Sequence, residues 1–202
     1  MKNQWDERYA RQEYIYGTEP NLFLAAQLPH IKPGRILFPA EGEGRNAVYA
    51  AQLGWLADAF DQSEEALKKA MQLAQNKSVE LNYSIVDFDN WQPAVEMYDC
   101  IVLIFVHLPE TLRIKTHASV IKALKPGGTL ILEAFNIKQL AKTSGGPKTA
   151  ELLYTTQQLQ SDFAALDELN ISETQTTLDE GTLHQGPAEV IQLTARKPFK
   201  QS

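Results

Sequence analysis

The sequence predicts an α/β fold: a doubly wound, mostly parallel sheet that finishes in an antiparallel hairpin. Three observations carry this expectation. Short apolar runs alternate with amphipathic stretches from Arg35 to Phe135, the rhythm of strand–helix–strand units. The run Cys100 to Val106 is apolar without a break, which suits a strand covered on both faces. Near the C-terminus two strand-like runs follow one another with only a Gly-bearing link between them, and strands joined so directly pair antiparallel.

Taken in order, Trp5 to Arg11 and Asn21 to Leu28 read as helices flanking the turn Tyr16-Gly17-Thr18-Glu19-Pro20. Arg35 to Pro39 follows the turn dipeptide Pro33-Gly34 and reads as the first strand. Arg45 to Leu53 is helical and stops at Gly54. Trp55 to Phe60 is the second strand. The helix from Glu64 to Gln75 places Ala66, Leu67, Ala70, Leu73 and Ala74 at helical spacing. Leu81 to Val86 and Tyr98 to Phe105 are strands three and four. Glu110 to Leu124 is a helix closed by the turn Lys125-Pro126-Gly127-Gly128, and Thr129 to Phe135 is the fifth strand. A helix over Thr155 to Leu166 precedes the closing strands, near Leu169 to Leu178 and Glu189 to Lys197, with Gly181 and Gly186 in the link.

Composition narrows the function classes. The 202 residues are read as one domain, 1–202, with 1–30 as a helical cap, and 44% hydrophobic against 22% charged residues is ordinary globular composition. No apolar run approaches the roughly 20 residues of a membrane span. The net charge of -6 and the lack of a basic patch argue against nucleic acid. A single cysteine, Cys100, excludes a disulfide framework and cysteine-rich zinc sites, and its apolar setting reads as buried. The first residues lack the apolar core of a signal peptide, so a cytoplasmic monomer with no metal and no membrane partner is expected.

Three strand ends carry candidate chemistry. Ala40-Glu41-Gly42-Glu43-Gly44-Arg45-Asn46 lies between the first strand and its helix, where glycine lets a ligand approach the backbone; a purely structural tight turn is the other reading. Asp61 ends strand two, 19 positions after Gly42 (61 − 42), and either accepts ribose hydroxyl protons or joins Ser63 in capping the next helix. Asp87 and Phe88 end strand three and either meet an exocyclic amine and a ring nitrogen or form a solvated strand end. The loop fits the dinucleotide pattern G-x-G-x-x-A, but Glu41 and Glu43 flank it. At about 4 Å and an effective dielectric of 20, each carboxylate–pyrophosphate pair costs about 4 kcal/mol, whereas a ligand bearing an ammonium and a sulfonium is attracted. S-adenosylmethionine is such a ligand.

With these segments in view, the chain resembles the class I S-adenosylmethionine-dependent methyltransferases, and among them the small bacterial group related to tellurite-resistance methyltransferases. The resemblance spans nearly the whole chain. It rests on Trp5-Asp6-Glu7-Arg8-Tyr9, Tyr16-Gly17-Thr18-Glu19-Pro20-Asn21, Glu41-Gly42-Glu43-Gly44-Arg45-Asn46-Ala47 and Asp61-Gln62-Ser63. Ile104-Phe105-Val106-His107-Leu108-Pro109, Leu124-Lys125-Pro126-Gly127-Gly128 and Glu133-Ala134-Phe135 complete it. It implies a Rossmann-like sheet of seven strands with the last antiparallel. It also implies that Ala40, Glu41, Gly42, Gly44 and Asn46 hold the methionine part of S-adenosylmethionine. Asp61, with Gln62 beside it, would take the ribose, and Asp87 with Phe88 the adenine. Tyr9 and the Tyr16–Asn21 turn would cover the cofactor, and Phe105 would line the pocket. The family loop usually reads Asp-x-Gly-x-Gly-x-Gly; Phe38 and Ala40 stand at its first two marked positions, leaving Glu41 as the carboxylate able to replace the missing one.

The implied reaction is methyl transfer to a small molecule such as a thiol or a chalcogen oxyanion. A neutral acceptor needs a base, and His107 after strand four and His184 in the late link, as part of an acceptor lid, are the candidates; a loop-capping role is the other reading of His107. His30 and His117 read as surface residues. A cofactor-binding protein without turnover is the alternative function, and a nicotinamide-dependent reductase is disfavoured by the absence of a Tyr-x-x-x-Lys pair.

Overall fold

The structure, a computed structural model, describes residues 2–200. A seven-stranded sheet runs through the molecule in the order β3-β2-β1-β4-β5-β7-β6. The strands are β1 (Arg35–Pro39), β2 (Leu56–Asp61), β3 (Asn82–Ile85), β4 (Tyr98–Ile104), β5 (Leu124–Phe135), β6 (Asp167–Glu180) and β7 (His184–Arg196). The first five pair in parallel, and β7 pairs antiparallel with both β5 and β6. The helices are α1 (Lys2–Tyr9), α2 (Leu22–Gln27), α3 (Arg45–Gln52), α4 (Glu64–Asn76), α5 (Glu110–Ala123) and α6 (Thr156–Asp162). The fold class expected from the sequence is the fold observed.

Period-two alternation divides the core between the two faces of the sheet. From β1, Ile36 and Phe38 enter the face covered by α2 and α3, alongside Leu24, Ala47, Ala50 and Cys100. Leu37 points the other way, into the layer of Ile101, Leu103 and Leu132 under Val120 of α5, Leu159 of α6 and Phe163 just beyond it. Strand order reverses between β1 and β4, and in such sheets ligands bind outside the carboxyl ends of the strands at that reversal.

The element ends show where local chemistry acted. Ser63 caps α4 by accepting from the Ala66 N–H, with Glu64 and Glu65 in the first turn. Asn21 caps α2 through the Leu24 N–H, and Thr155 and Gln158 form a capping box on α6.

Four expectations need correction. Lys125-Pro126-Gly127-Gly128 does not stand outside the sheet as a turn. It is the irregular start of β5: the register with β4 jumps from Tyr98↔Leu124 to Cys100↔Thr129, and Gly127 and Gly128 exchange backbone bonds with Lys197. Helix α6 stops at Asp162, because Phe163 and Leu166 both turn into the core ahead of β6. The hairpin pairs as far as Glu180↔His184, so the link shrinks to residues 181–183 and Gly186 lies within β7, opposite Leu178. His117 is not on the surface; it is 1% exposed, stacked on Phe163 and bonded through Nδ1 to Asp162 at 2.8 Å.

Candidate functional site

A cavity of about 450 Å³ opens at the carboxyl ends of β1, β2 and β4. Pro39 to Glu41, Glu43, Arg45 and Asn46 line it from the first loop, Asp61 and Gln62 from the end of β2, and Val86 to Asp89 from the end of β3. Phe105 to Pro109, Phe135 and His184 line its far end, and Trp5, Arg8, Tyr9 and Tyr16 form its outer wall. Of the residues singled out in sequence, all line the cavity except Gly42 and Gly44. Phe38 does not enter it; its side chain is 1% exposed within the opposite core layer, and the cavity stays open beside Pro39 and Ala40.

The two glycines shape the cradle from behind. A Cβ on Gly44 (φ 90°) would sit 2.6 Å from the Ala70 Cβ, so glycine there lets α3 close against α4. A Cβ on Gly42 (φ 64°) would sit 2.7 Å from the Tyr9 hydroxyl. Gly42 is also held by its neighbours: its N–H donates to Asp61 Oδ2 (3.1 Å), and its carbonyl accepts from the Tyr83 hydroxyl (2.7 Å).

Glu41 and Glu43 have separate structural partners. Gly44 at the N-cap of α3 has no side chain to offer, and Glu41 Oε1 takes over, accepting from the Asn46 N–H (2.8 Å) and Ala47 N–H (2.7 Å). Burial nevertheless lifts Glu41 to about 7, against those two donors and Arg45. Glu43 points away from the opening, accepting from the Ile15 and Tyr16 N–H groups and pairing with Lys69 at 2.7 Å. The fringe of free carboxylates expected around the loop is thus thinner than the sequence suggests.

Asp61 combines both readings offered for it. Its Oδ1 accepts from the Ser63 N–H at 3.0 Å while Ser63 caps α4, and the carboxylate still lines the cavity. Burial raises it to about 6, opposed by the Ser63 and Gly42 N–H groups and aided by Asp6. Asn46 is 4% exposed, and its Oδ1 accepts from the Asn21 N–H, so the side chain pins the Tyr16–Asn21 turn. Asp87 is exposed and accepts from the Asn90 backbone and side chain. Phe88 packs edge-on to Phe60 at 5.5 Å. Tyr9 stacks on Trp5 and meets Tyr16 edge-on; burial, and secondarily Asp61, hold its hydroxyl well above the usual tyrosine range.

The far end is aromatic. Phe105 (φ 54°) stacks on Phe135 at 4.5 Å, and His184 meets both rings edge-on. The two histidines differ sharply in what their nitrogens do. His107 Nε2 accepts from the Phe135 N–H (3.2 Å), which puts its proton on Nδ1, facing the Leu152 carbonyl at 2.7 Å. Burial brings its pKa to about 4. Both nitrogens are committed, so the loop-fixing reading describes His107 and the base role does not suit it. His184 opens β7 and is 6% exposed, a buried strand residue and not part of a lid. Its Nδ1 faces Glu180 Oε2 at 3.2 Å.

Sequence reasoning missed the polar cluster behind His184. Arg45 pairs with Glu180 at 2.9 Å, and Asn21 donates to both Glu180 and Glu133. Arg8 donates to the Tyr16 hydroxyl at 2.9 Å. These residues lie up to 159 positions apart, and no local pattern announces their meeting.

Comparison with known proteins fits this geometry. Residues 36–128 match the family model of a methyltransferase domain. That stretch runs from β1 to the start of β5 and includes the glycine loop, Asp61, Asp87 and the first aromatic of the far end. This part of the chain, slightly under half of it, is thus similar to methyltransferase domains. No curated protein matches the sequence. Among solved structures, the protein studied for the conversion of a disulfide bond into a thioacetal group during echinomycin biosynthesis superposes with a TM-score of 0.80 at 15% identity, over all of this chain and 93% of that one. The N-methyltransferase NodS of Bradyrhizobium japonicum, in complex with S-adenosylhomocysteine, gives 0.71 at 16% identity over 98% of both chains. TehB of Haemophilus influenzae gives 0.72 at 16% identity over 97% of this chain and 66% of that one. At such identities these likenesses speak for the fold. Among the described residues no helix is long and apolar enough to cross a membrane.

Proposed function

We propose that this chain binds S-adenosylmethionine in the strand-end cavity and transfers its methyl group to a small-molecule acceptor entering from the aromatic end. The observation that carries the reading is convergence. The ends of β1, β2 and β3, separate in sequence, line one cavity of about 450 Å³, a size typical of cofactor sites.

The residues present fit the cofactor. Asp61 uses one lone pair of each oxygen on a backbone N–H, and a carboxylate has about four acceptor sites, so it can still take two ribose hydroxyls. Asp87 would accept from the adenine amine, with Phe88 beside the ring. The loop Ala40–Asn46 borders the methionine part, with Glu41 facing the ammonium, and Tyr9 and Tyr16 form the outer cover. When bound, the cofactor supplies a methyl carbon activated by its sulfonium, and the protein's task is to orient and desolvate the reactants. Relatedness to tellurite-resistance methyltransferases enters only as a candidate for the acceptor.

Isothermal titration tests the reading. S-adenosylhomocysteine should bind the full chain saturably, and Asp61→Ala should weaken it at least about tenfold, the loss of one charge-assisted contact. Unchanged affinity in the variant removes Asp61 from the site; no binding to the wild type ends the methyl-transfer reading.

A further inference from the structure

The proposal above leaves one buried group without a task. His184 sits at the aromatic end of the cavity with a carboxylate behind it. Glu180 Oε2 faces its Nδ1 at 3.2 Å, and the same oxygen accepts from Arg45 Nη2 at 2.9 Å. Glu180 Oε1 accepts from Asn21 Nδ2 at 3.2 Å, so both oxygens are held. Burial alone would raise the Glu180 carboxyl, but the His184 and Arg45 contacts overcome it and bring it down to about 2. An ionised Glu180 fixes the His184 proton on Nδ1 and leaves a lone pair on Nε2, which no hydrogen bond engages among the described residues, and the residue lines the cavity.

We propose that His184, oriented by Glu180, is the proton acceptor of the transferase reaction, and that the methyl acceptor is a neutral aromatic compound bearing a weakly acidic hydroxyl or thiol. The inference rests on the methyl-transfer reading and deepens it. Shape argues for a flat ring: Phe105 stacked on Phe135 forms the wall beside His184, and Tyr16 lies 4.6 Å from the imidazole. Charge argues against an oxyanion. The two arginines lining the cavity are already engaged, Arg45 by Glu180 and Arg8 by the Tyr16 hydroxyl and the Trp5 face. An anion at this end would meet the Glu180 carboxylate with no uncommitted arginine to receive it.

In the step, the acceptor's X–H bond breaks and its proton passes to His184 Nε2. The freed electron pair forms the X–CH₃ bond, while the pair of the breaking S–CH₃ bond stays on sulfur as the neutral thioether. The resulting imidazolium is stabilised by Glu180. Around the imidazole stand Glu180 from β6, Arg45 from α3, Arg8 from α1, Tyr16 from the turn, and His107 after β4. Burial, with Arg45 and Arg8, keeps His184 below the ordinary histidine value against the pull of Glu180, so it is neutral and ready to accept at pH 7.

The test uses the whole chain. On the wild type, kcat for a weakly acidic phenol should rise with pH through one ionisation below the ordinary histidine value and be level from pH 7 upward; His184→Gln should lose that ionisation. In turnover, His184→Gln should lower kcat for weakly acidic phenols and thiols at least about 100-fold, with S-adenosylhomocysteine affinity within about twofold. The loss should shrink as acceptors become acidic enough to ionise unaided. A wild-type rate that climbs with pH up to the acceptor's own pKa, an equal loss for every acceptor, or better methylation of selenite or tellurite than of any protic aromatic would each overturn the assignment. The wild-type pH profile decides even if the variant fails to fold. Failure of S-adenosylhomocysteine to bind the wild type is a different result, and it removes the parent reading.

Discussion

Ala40 is the residue where sequence and backbone disagree most plainly. It adopts φ 52°, in the left-handed region, where a Cβ crowds the following carbonyl at a cost of about 1–2 kcal/mol. The resemblance places a glycine here, and the backbone still takes the conformation glycine would. Ala40→Gly should therefore raise stability by about 1 kcal/mol, after allowing for the freer unfolded chain. Thermal denaturation should show this as a Tm gain of roughly 2–4 °C for a chain of this size. A loss of stability would show that the alanine methyl, which borders the cavity, makes contacts worth more than the strain. Asp61, Asp87 and Phe88 were legible as strand-end candidates because each ends an apolar run. The assignments of His107 and His184 were not legible. Whether an imidazole nitrogen is free depends on a carbonyl 45 residues away in one case and a carboxylate on a neighbouring strand in the other.

At the scale of elements, the join between α5 and α6 stands on one buried ionic cluster. Asp162 Oδ2 accepts from Arg113 Nε at 2.8 Å and faces His117 Nδ1 at 2.8 Å, with Arg113 3% and His117 1% exposed. Asp162→Ala leaves the Arg113 charge buried without its partner, a change that typically costs about 3–5 kcal/mol. Urea unfolding should show the lower midpoint with an unchanged slope. A shift below about 1 kcal/mol would mean that water reaches Arg113 in the variant. The sequence reads His117 of α5 as a surface residue. Residues 156–162 cover that face, and only the packed structure reveals it. The same applies to β6, whose mostly polar, alternating side chains conceal a strand reaching Glu180.

The whole molecule carries opposed pH dependences. Glu41, at about 7 in the fold against the ordinary 4.5, holds an extra proton in the native state between those values, so its contribution to stability falls as pH rises through that window. Asp61, at about 6, acts in the same direction. His107 acts oppositely: buried neutral, it stabilises above about pH 6.5 and loses that contribution as pH falls toward 4. Glu41→Gln keeps an acceptor for the Asn46 and Ala47 N–H groups but cannot ionise. It should match the wild-type Tm near pH 4 and exceed it at pH 8, by a stability on the order of 1–3 kcal/mol. Equal curves across that range would mean that Glu41 ionises at its ordinary value.

Period-two and helical hydrophobic patterns, cap residues and the placement of glycine, proline and aspartate at strand ends are local properties, and by themselves they determined the doubly wound sheet, its closing hairpin and the strand ends that line the cavity. The pairing of Arg45 with Glu180 and of Glu180 with His184 was decided by the tertiary structure alone, as were the capture of Glu43 by Lys69 and the burial of His117. A charged or titratable side chain takes its chemical character from whichever partners the folded chain brings within about 3 Å, and those partners come from elements far apart in sequence.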